Sequence, residues 1–145
     1  MIAFAANSLL CRMALGRELI DAASFTSIRI AAGAVTLLFI LLVRGNKTKI
    51  VPDWPGVAAL FCYMVCFSFA YLSLTAGTGA LLLFGAVQLT MFIAAIRGGE
   101  RFAPVSWAGL VAAFAGLVYL VAPGVAAPDP TGAVLMVTAG IAWGA

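Results

Sequence analysis

Long apolar stretches constrain this chain more than any other feature. The stretch from Ala22 to Val43 contains one charged residue, Arg29. Rising about 1.5 Å per residue as a helix, it is long enough to cross the ~30 Å hydrocarbon core of a bilayer. In lipid every backbone N–H and C=O group must be bonded within the protein, which favours a helix. The stretch therefore predicts a membrane-spanning helix.

The composition extends this prediction to the whole chain. Of its 145 residues, 65% are hydrophobic and 9% are charged, and the mean hydropathy is +1.17. A soluble domain carries roughly 25% charged residues. The net charge of +3 is spread over loops without a dense basic patch, so nucleic acid is not an expected partner. We expect an all-α integral membrane protein, a multi-span helical bundle whose main partner is the lipid bilayer.

Polar breaks divide the chain into six apolar segments. Asp21 and Asp53 are placed to cap the second and third, Pro55 suits a first turn, and Gly77-Thr78-Gly79 is expected to form a hairpin turn. The first segment is too short to span, and the last, ending Thr138 to Ala145, resembles the first half of a helix. We expect about five spans plus the start of a sixth: helices about 2–15, 22–43, 54–75, 80–96 and 104–122, a loop at 123–130, and a new segment at 131–145.

The distribution of Lys and Arg predicts an orientation. The breaks after the second and fourth segments share one side of the membrane and contain Arg44, Lys47, Lys49, Arg97 and Arg101, whereas the other side has Arg17. Cytoplasmic loops carry the excess of basic residues. We therefore expect a multi-pass protein of the cell (inner or plasma) membrane with a cytoplasmic N-terminus. A signal peptide is the less favoured interpretation of residues 1–15, because the stretch lacks a basic n-region and has Asn7 and Arg12 inside its apolar core.

The two ends of the chain share a short pattern. Residues 2–6, Ile-Ala-Phe-Ala-Ala, and residues 141–145, Ile-Ala-Trp-Gly-Ala, both read Ile, Ala, aromatic, small, Ala. Five positions in so apolar a sequence are a weak match. Because five segments separate the copies, a second copy would enter the membrane in the opposite direction. This arrangement is an inverted-topology repeat, which is typical of secondary transporters.

Several motifs resemble EamA-type transporters of the drug/metabolite transporter (DMT) superfamily. They are Ala5-Ala6-Asn7-Ser8 with Arg12, Ser27-Ile28-Arg29, Phe69 to Leu74 running into Ala76 to Ala80, Gly99-Glu100-Arg101, Trp107-Ala108-Gly109 and Gly116 to Leu120. The resemblance implies a ten-helix carrier of two five-helix repeats, with residues 1–122 as the first repeat and 131–145 as the start of the second. The family often has a Pro in the middle of helix four. This chain has Val87-Gln88-Leu89-Thr90 there, so no proline break is expected.

Polar side chains within the spans are the candidate substrate contacts, because each is costly in hydrocarbon. Arg29 lies roughly 10 Å along the second helix. It could snorkel to the interface, or it could face a cavity and bind an anionic or carboxylate substrate. Asn7 and Gln88 suit either substrate contact or hydrogen bonds between helices.

Two patterns favour packing over binding. Tyr63, Phe67 and Tyr71 recur at i, i+4 and i+8, and such an aromatic stripe more often packs than lines a cavity. In helix five, Gly109 with Ala113 and Ala112 with Gly116 form small-residue pairs suited to close contact between helices or between repeats. The ordinary abundance of Gly and Ala in membrane helices explains them equally well. The substrate-binding candidates are Asn7, Arg29, Tyr63, Tyr71 and Gln88.

The expected function is that of a secondary transporter working by alternating access, with a second repeat as its partner. The resemblance to the EamA-type family implies that it exports small metabolites or drugs. No enzyme is expected, because the chain has no His and no nucleophile-elbow motif. No cofactor is expected, and no metal site either, since Cys62 and Cys66 share a helix face without further ligands. No Asp or Glu lies inside a complete span, which argues against a carboxylate-centred proton antiporter. Two alternatives stay open: a small self-dimerising multidrug-type exporter and a non-transporting membrane scaffold protein.

Overall fold

A computed structural model describes residues 2–16, 20–45, 52–121 and 128–145. These ranges form six α-helices and contain no β-strand. Much of the expected 123–130 loop, the break at Arg17-Glu18 and the basic residues Lys47 and Lys49 lie outside the described residues. The helices are α1 (Ile2–Gly16), α2 (Ala22–Arg44), α3 (Trp54–Ala70), α4 (Ala76–Arg97), α5 (Pro104–Val121) and α6 (Pro130–Gly144).

Aspartate side chains cap the N-termini of three of these helices. The Asp21 carboxylate accepts a hydrogen bond from the Ser24 backbone N–H at 2.8 Å, and Asp53 accepts one from the Gly56 N–H at 3.3 Å. Both predicted caps are confirmed. Asp129, which was not predicted as a cap, caps α6 by accepting a hydrogen bond from the Gly132 N–H at 2.7 Å. Each cap bonds one of the N–H groups that a helix leaves unpaired at its start.

The boundary between α3 and α4 differs from the prediction. Helix α3 ends at Ala70 rather than near Thr75, and α4 begins at Ala76. Thr75 caps α4, because its side-chain oxygen accepts from the Thr78 N–H at 3.2 Å. The expected Gly77-Thr78-Gly79 turn therefore belongs to the first turn of α4, and residues 71–75 make the connection.

Gly79 has a packing reason to be glycine. A Cβ atom at this position would lie 2.6 Å from Cε1 of the Tyr71 ring. Beyond this contact α4 continues without interruption to Arg97, as expected from the absence of a proline in its middle.

Helix α6 is the centre of the bundle. It packs against both α3 and α4, while α2 packs on α3, and α1 and α5 each contact α4. The core lies where α6 meets its neighbours, and Phe67 and Met136 are completely buried there. Other buried members of this cluster are Cys11, Leu15, Tyr63, Ala70, Tyr71, Leu74, Leu83 and Ala139.

Small residues allow the close approach of α6 to α4. A Cβ atom at Gly144 would lie 2.9 Å from Cβ of Thr90, and Gly140 one turn earlier approaches α4 still more closely. On α5, an added Cβ at Gly109 or Gly116 would meet no described atom within 4 Å. Within the described residues the close small-residue packing is therefore on α6, and contact of the α5 pairs with a second repeat stays a prediction.

Two helices in the described ranges are long and apolar enough to cross a membrane, Ala22–Arg44 and Ala76–Arg97. Shorter apolar helices accompany them: α3, α6 and the Pro104–Tyr119 part of α5. Most large apolar side chains of α2 face outward, and Val35, Leu42 and Val43 are each more than 60% exposed. An outer surface of this kind is suited to lipid.

Candidate functional site

Arg29 on α2 directs its guanidinium between α1 and α3. One terminal nitrogen donates to the Asn7 side-chain oxygen on α1 at 3.3 Å. The other donates to the Ser68 hydroxyl on α3 at 3.5 Å. The Ser68 hydroxyl itself donates to the Met64 carbonyl at 2.9 Å, which leaves its lone pairs for Arg29. The only charged side chain of α2 before Arg44 thus connects three helices.

Aromatic rings complete the surroundings of this guanidinium. The central carbon of Arg29 lies 5.5 Å from the ring centroid of Phe25 and 5.2 Å from that of Phe67. A cation at this distance from a ring face gains roughly 0.5–2 kcal/mol, depending on its hydration. The rings and two neutral oxygens thus offset part of the cost of withdrawing the charge from water.

No carboxylate bonds to Arg29 within the described ranges. The acidic residues in the described ranges lie outside the helix interiors: Asp21, Asp53 and Asp129 cap the starts of helices, and Glu100 follows α4. Glu18 lies outside the described residues. The site therefore carries a positive charge that neutral partners solvate and that no acidic side chain of the described residues neutralises.

A cavity of about 510 Å³, open to the surface, adjoins this guanidinium, and its lining residues Leu37 and Phe61 are each more than half exposed. It runs between α2 and α3 and reaches α6, where the Trp143 ring lies 4.8 Å from the Tyr63 ring, centroid to centroid. Helix α2 leaves room beside Arg29, because a Cβ at Gly33 would meet nothing within 4 Å. The main lining residues are Arg29, Gly33, Leu37, Phe61, Tyr63 and Trp143.

The aromatic stripe of α3 is mostly packing. Phe67 and Tyr71 are fully buried and meet edge to face with their centroids 4.9 Å apart. The Tyr71 hydroxyl donates to the Ala76 carbonyl at 3.4 Å, beside the start of α4. Tyr63 alone of the three also lines the Arg29 cavity.

Gln88 belongs to a different part of the molecule. Its exposed side chain lines two grooves of about 440 Å³ and 410 Å³ between α4 and α5, with Leu110 and Ala113 opposite. The structure thus brings Asn7, Arg29 and Tyr63 to one site. It leaves Gln88 on the α4–α5 surface.

Two members of this site, Ser68 and Trp143, were not among the residues predicted from the sequence. Ser68 could have been noticed as a hydroxyl in an otherwise apolar stretch of α3. The role of Trp143 depends on the docking of α6 against α3, for which the sequence contains no local signal.

The cysteines do not form a metal site in the described part of the chain. Cys62 and Cys66 lie one turn apart with their sulfur atoms 3.9 Å from each other. No group of three or more His, Cys, Asp or Glu side chains among the described residues could hold a metal ion.

Comparison with known proteins identifies the family. The EamA-like transporter family matches residues 1–122. "Uncharacterized protein PA1977" of Pseudomonas aeruginosa is 50% identical to the chain over 145 residues, covering 99% of this chain and 50% of that protein. The chain thus spans about half the length of this curated relative. No solved structure matches. Proteins of the EamA family are DMT-type membrane transporters and not enzymes. The match over residues 1–122 and the apolar helices show that this chain belongs to the EamA-like transporter family.

Proposed function

We propose that the protein is a secondary transporter that exports small metabolites or drugs by alternating access. The observation that carries this proposal is Arg29, held between α1 and α3 beside a cavity of about 510 Å³. On insertion scales an arginine at a helix centre costs about 2.5–3.5 kcal/mol. Such residues usually mark substrate or ion pathways. In a chain of a transporter family, the simplest role for Arg29 is substrate contact.

The proposed complete architecture has ten helices in two inverted repeats, with residues 1–122 as the first and 131–145 as the opening of the second. Two observations support it. The matched relative is about twice as long as its aligned part. Five helices precede α6, so a repeat beginning there would have the opposite orientation in the membrane. Trp143 would then be the contribution of the second repeat to the Arg29 cavity.

In the proposed topology the protein lies in the inner or plasma membrane of the cell, with its N-terminus in the cytoplasm. Arg44 ends α2 and Arg97 ends α4, and Arg101 lies in the loop that follows α4 on the same side of the membrane. At the opposite end of the bundle, a hydrogen bond between Ser73 and Asp129 joins the α3–α4 connection to the start of α6. The bias of basic residues toward one end supports this topology.

The proposed substrate contacts fall into two sets. Asn7, Arg29 and Tyr63 would act together at the cavity, with Tyr71 supporting Phe67 and the α3 end from a buried position. Gln88 would contact substrate only along the separate α4–α5 surface.

Transport by the purified full-length protein tests this proposal. Liposomes loaded with a mixed panel of amino acids, organic acids, nucleosides and cationic drugs would be assayed by mass spectrometry for compounds released faster than from protein-free liposomes. We expect release of a subset, and a drop of about tenfold or more for Arg29→Gln, which corresponds to about 1.4 kcal/mol. Arg101→Gln, the same change at an exposed loop position, is the matched control.

Two results would contradict the proposal. If folded protein releases no compound above background, a scaffold role would replace transport. If residues 1–145 transport on their own as a dimer, the small self-dimerising exporter would replace the ten-helix architecture.

A further inference from the structure

We propose that the Arg29 cavity selects organic anions with a flat apolar body and rejects the same body when it carries an ammonium group. This inference rests on the proposed function, in that it takes the cavity to be the substrate site. It specifies the charge and shape of the substrate, which family membership leaves open.

The charge balance around Arg29 is the first support. Its hydrogen-bond acceptors include the uncharged side-chain oxygens of Asn7 and Ser68, and the Tyr63 side chain is a further hydrogen-bond partner. Within the described ranges the acidic side chains lie at helix starts and in the loop after α4. A charge withdrawn from water without a counter-ion is costly. A bound carboxylate would supply the missing negative charge.

The geometry of the guanidinium is the second support. An arginine carries five N–H donors in a planar fork that matches the two oxygens of a carboxylate. The bonds to Asn7 and Ser68, at 3.3 and 3.5 Å, are longer than the usual 2.7–3.2 Å. Such long bonds are easily exchanged for shorter, charge-assisted ones when a carboxylate arrives.

The same surroundings disfavour an ammonium group. Among the described residues that line the cavity, the charged one is Arg29, and its positive charge repels a second cation. Aromatic rings can hold a cation on their faces, but Phe67 already receives the Arg29 guanidinium. The Tyr63 ring lies between its neighbours Phe67 and Trp143 at 5.3 Å and 4.8 Å.

The shape of the cavity accounts for the apolar body. Its volume of about 510 Å³ is within the roughly 300–1,000 Å³ typical of small-molecule sites. From Arg29 to Leu37 the lining follows α2 for roughly 12 Å at 1.5 Å per residue. A ring would pass over Gly33, where no side chain intervenes, toward Phe61 and Trp143.

Four compounds with the same phenyl body test this selectivity. They are 3-phenylpropanoate, 3-phenylpropan-1-ol, L-phenylalanine and 2-phenylethylamine, titrated by calorimetry into the full-length protein in lipid nanodiscs at neutral pH. We expect 3-phenylpropanoate to bind with a Kd about tenfold or more below those of the other three. In Arg29→Lys this advantage should shrink several-fold, because the fork is lost but the charge remains.

Gly33→Leu tests the location without touching the charge. The new side chain would occupy the cavity next to Arg29 and should abolish binding of 3-phenylpropanoate. Gly77→Leu is the matched control, since an added Cβ at Gly77 also meets nothing within 4 Å and lies away from this cavity, in the first turn of α4. The control should bind as the unmodified protein does.

Three results would overturn the inference: L-phenylalanine binding as tightly as 3-phenylpropanoate, no binding of 3-phenylpropanoate, or binding that Gly33→Leu leaves intact. These outcomes are distinguishable from failure of the proposed function. A protein that exports zwitterions or amines in the liposome assay but ignores 3-phenylpropanoate remains a transporter with a different selectivity. A protein that exports nothing fails as a transporter.

Discussion

Gly140 on α6 lies directly against Ala86 on α4. A Cβ atom at position 140 would stand 2.5 Å from the Ala86 Cβ and 2.7 Å from the Leu83 carbonyl oxygen. Both distances are shorter than non-bonded atoms tolerate, so α6 can approach α4 this closely only with glycine here. In lipid, where helices gain little from hydrophobic association, such close packing is a main source of helix–helix stability.

We therefore expect Gly140→Ala to destabilise the protein. Overpacking of a tight contact typically costs about 1–3 kcal/mol, which exceeds the roughly 0.5–1 kcal/mol that Ala gains over Gly in a helix. The midpoint of an SDS titration followed by circular dichroism would measure the change. Gly109→Ala is the control, because its Cβ meets no described atom within 4 Å. Equal midpoints for the two variants would contradict the close contact.

Arg12 connects α1 to the end of α3. Its guanidinium donates to the carbonyls of Tyr71 at 2.9 Å and Leu72 at 3.2 Å. These carbonyls lie beyond the last turn of α3, where a cation is favourable. We expect Arg12→Gln to lower the free energy of unfolding by about 1–2 kcal/mol, since one of the two bonds is exposed. The same substitution at the exposed Arg101 should have a smaller effect, and no difference between them would argue against this role.

Asp129 caps α6 and also binds the connection between α3 and α4. Its Oδ2 accepts from the Gly132 N–H at 2.7 Å and from the Ser73 hydroxyl at 3.1 Å. Asp129→Ala should cost about 1 kcal/mol for the cap and a further ~0.5–1.5 kcal/mol for the second bond. A double-mutant cycle with Ser73→Ala isolates that second part. Asp53→Ala, which removes only the cap of α3, is the control for the loss of a cap alone. A coupling energy of zero between positions 73 and 129 would show that the Ser73–Asp129 hydrogen bond does not stabilise the fold.

Asp21 should make stability depend on pH at the start of α2. The backbone N–H of Ser24, followed by its side chain, holds the pKa of the exposed Asp21 carboxyl below its ordinary value. A lowered pKa in the folded state means that the stabilisation is present above the ordinary carboxyl pKa of about 4 and is lost as pH falls through the folded value.

The variant Asp21→Asn keeps a side-chain oxygen that can cap α2, but its amide does not ionise between pH 3 and pH 7. The stability difference between wild type and this variant, measured by thermal melting from pH 7 to pH 3, should therefore shrink as the pH falls. A difference that stays constant over this range would show that the charge of Asp21 contributes nothing.

Local sequence determined the helices and most of their ends. The uninterrupted apolar stretch after Asp21 predicted α2 to within a residue of its end at Arg44, and the Asp21 and Asp53 caps follow from polar side chains directly before apolar segments. The α3–α4 boundary was missed because Phe69 to Leu74 is nearly as apolar as the helices themselves. The end of α3 depends on the Thr75 cap of α4 and on the hydrogen bond that Arg12 of α1 donates to the Tyr71 carbonyl.

The partners of each helix were decided only by the tertiary structure. Arg29 meets Asn7 and Ser68, which are 22 and 39 residues away in the chain, and Trp143 meets Tyr63 only because α6 docks on α3. In a soluble helix a polar face and an apolar face indicate which side is buried. These helices are apolar on nearly every side, because lipid and protein interior accept the same side chains. Hydropathy therefore predicts that a helix forms, and close packing between helices decides which face becomes the site.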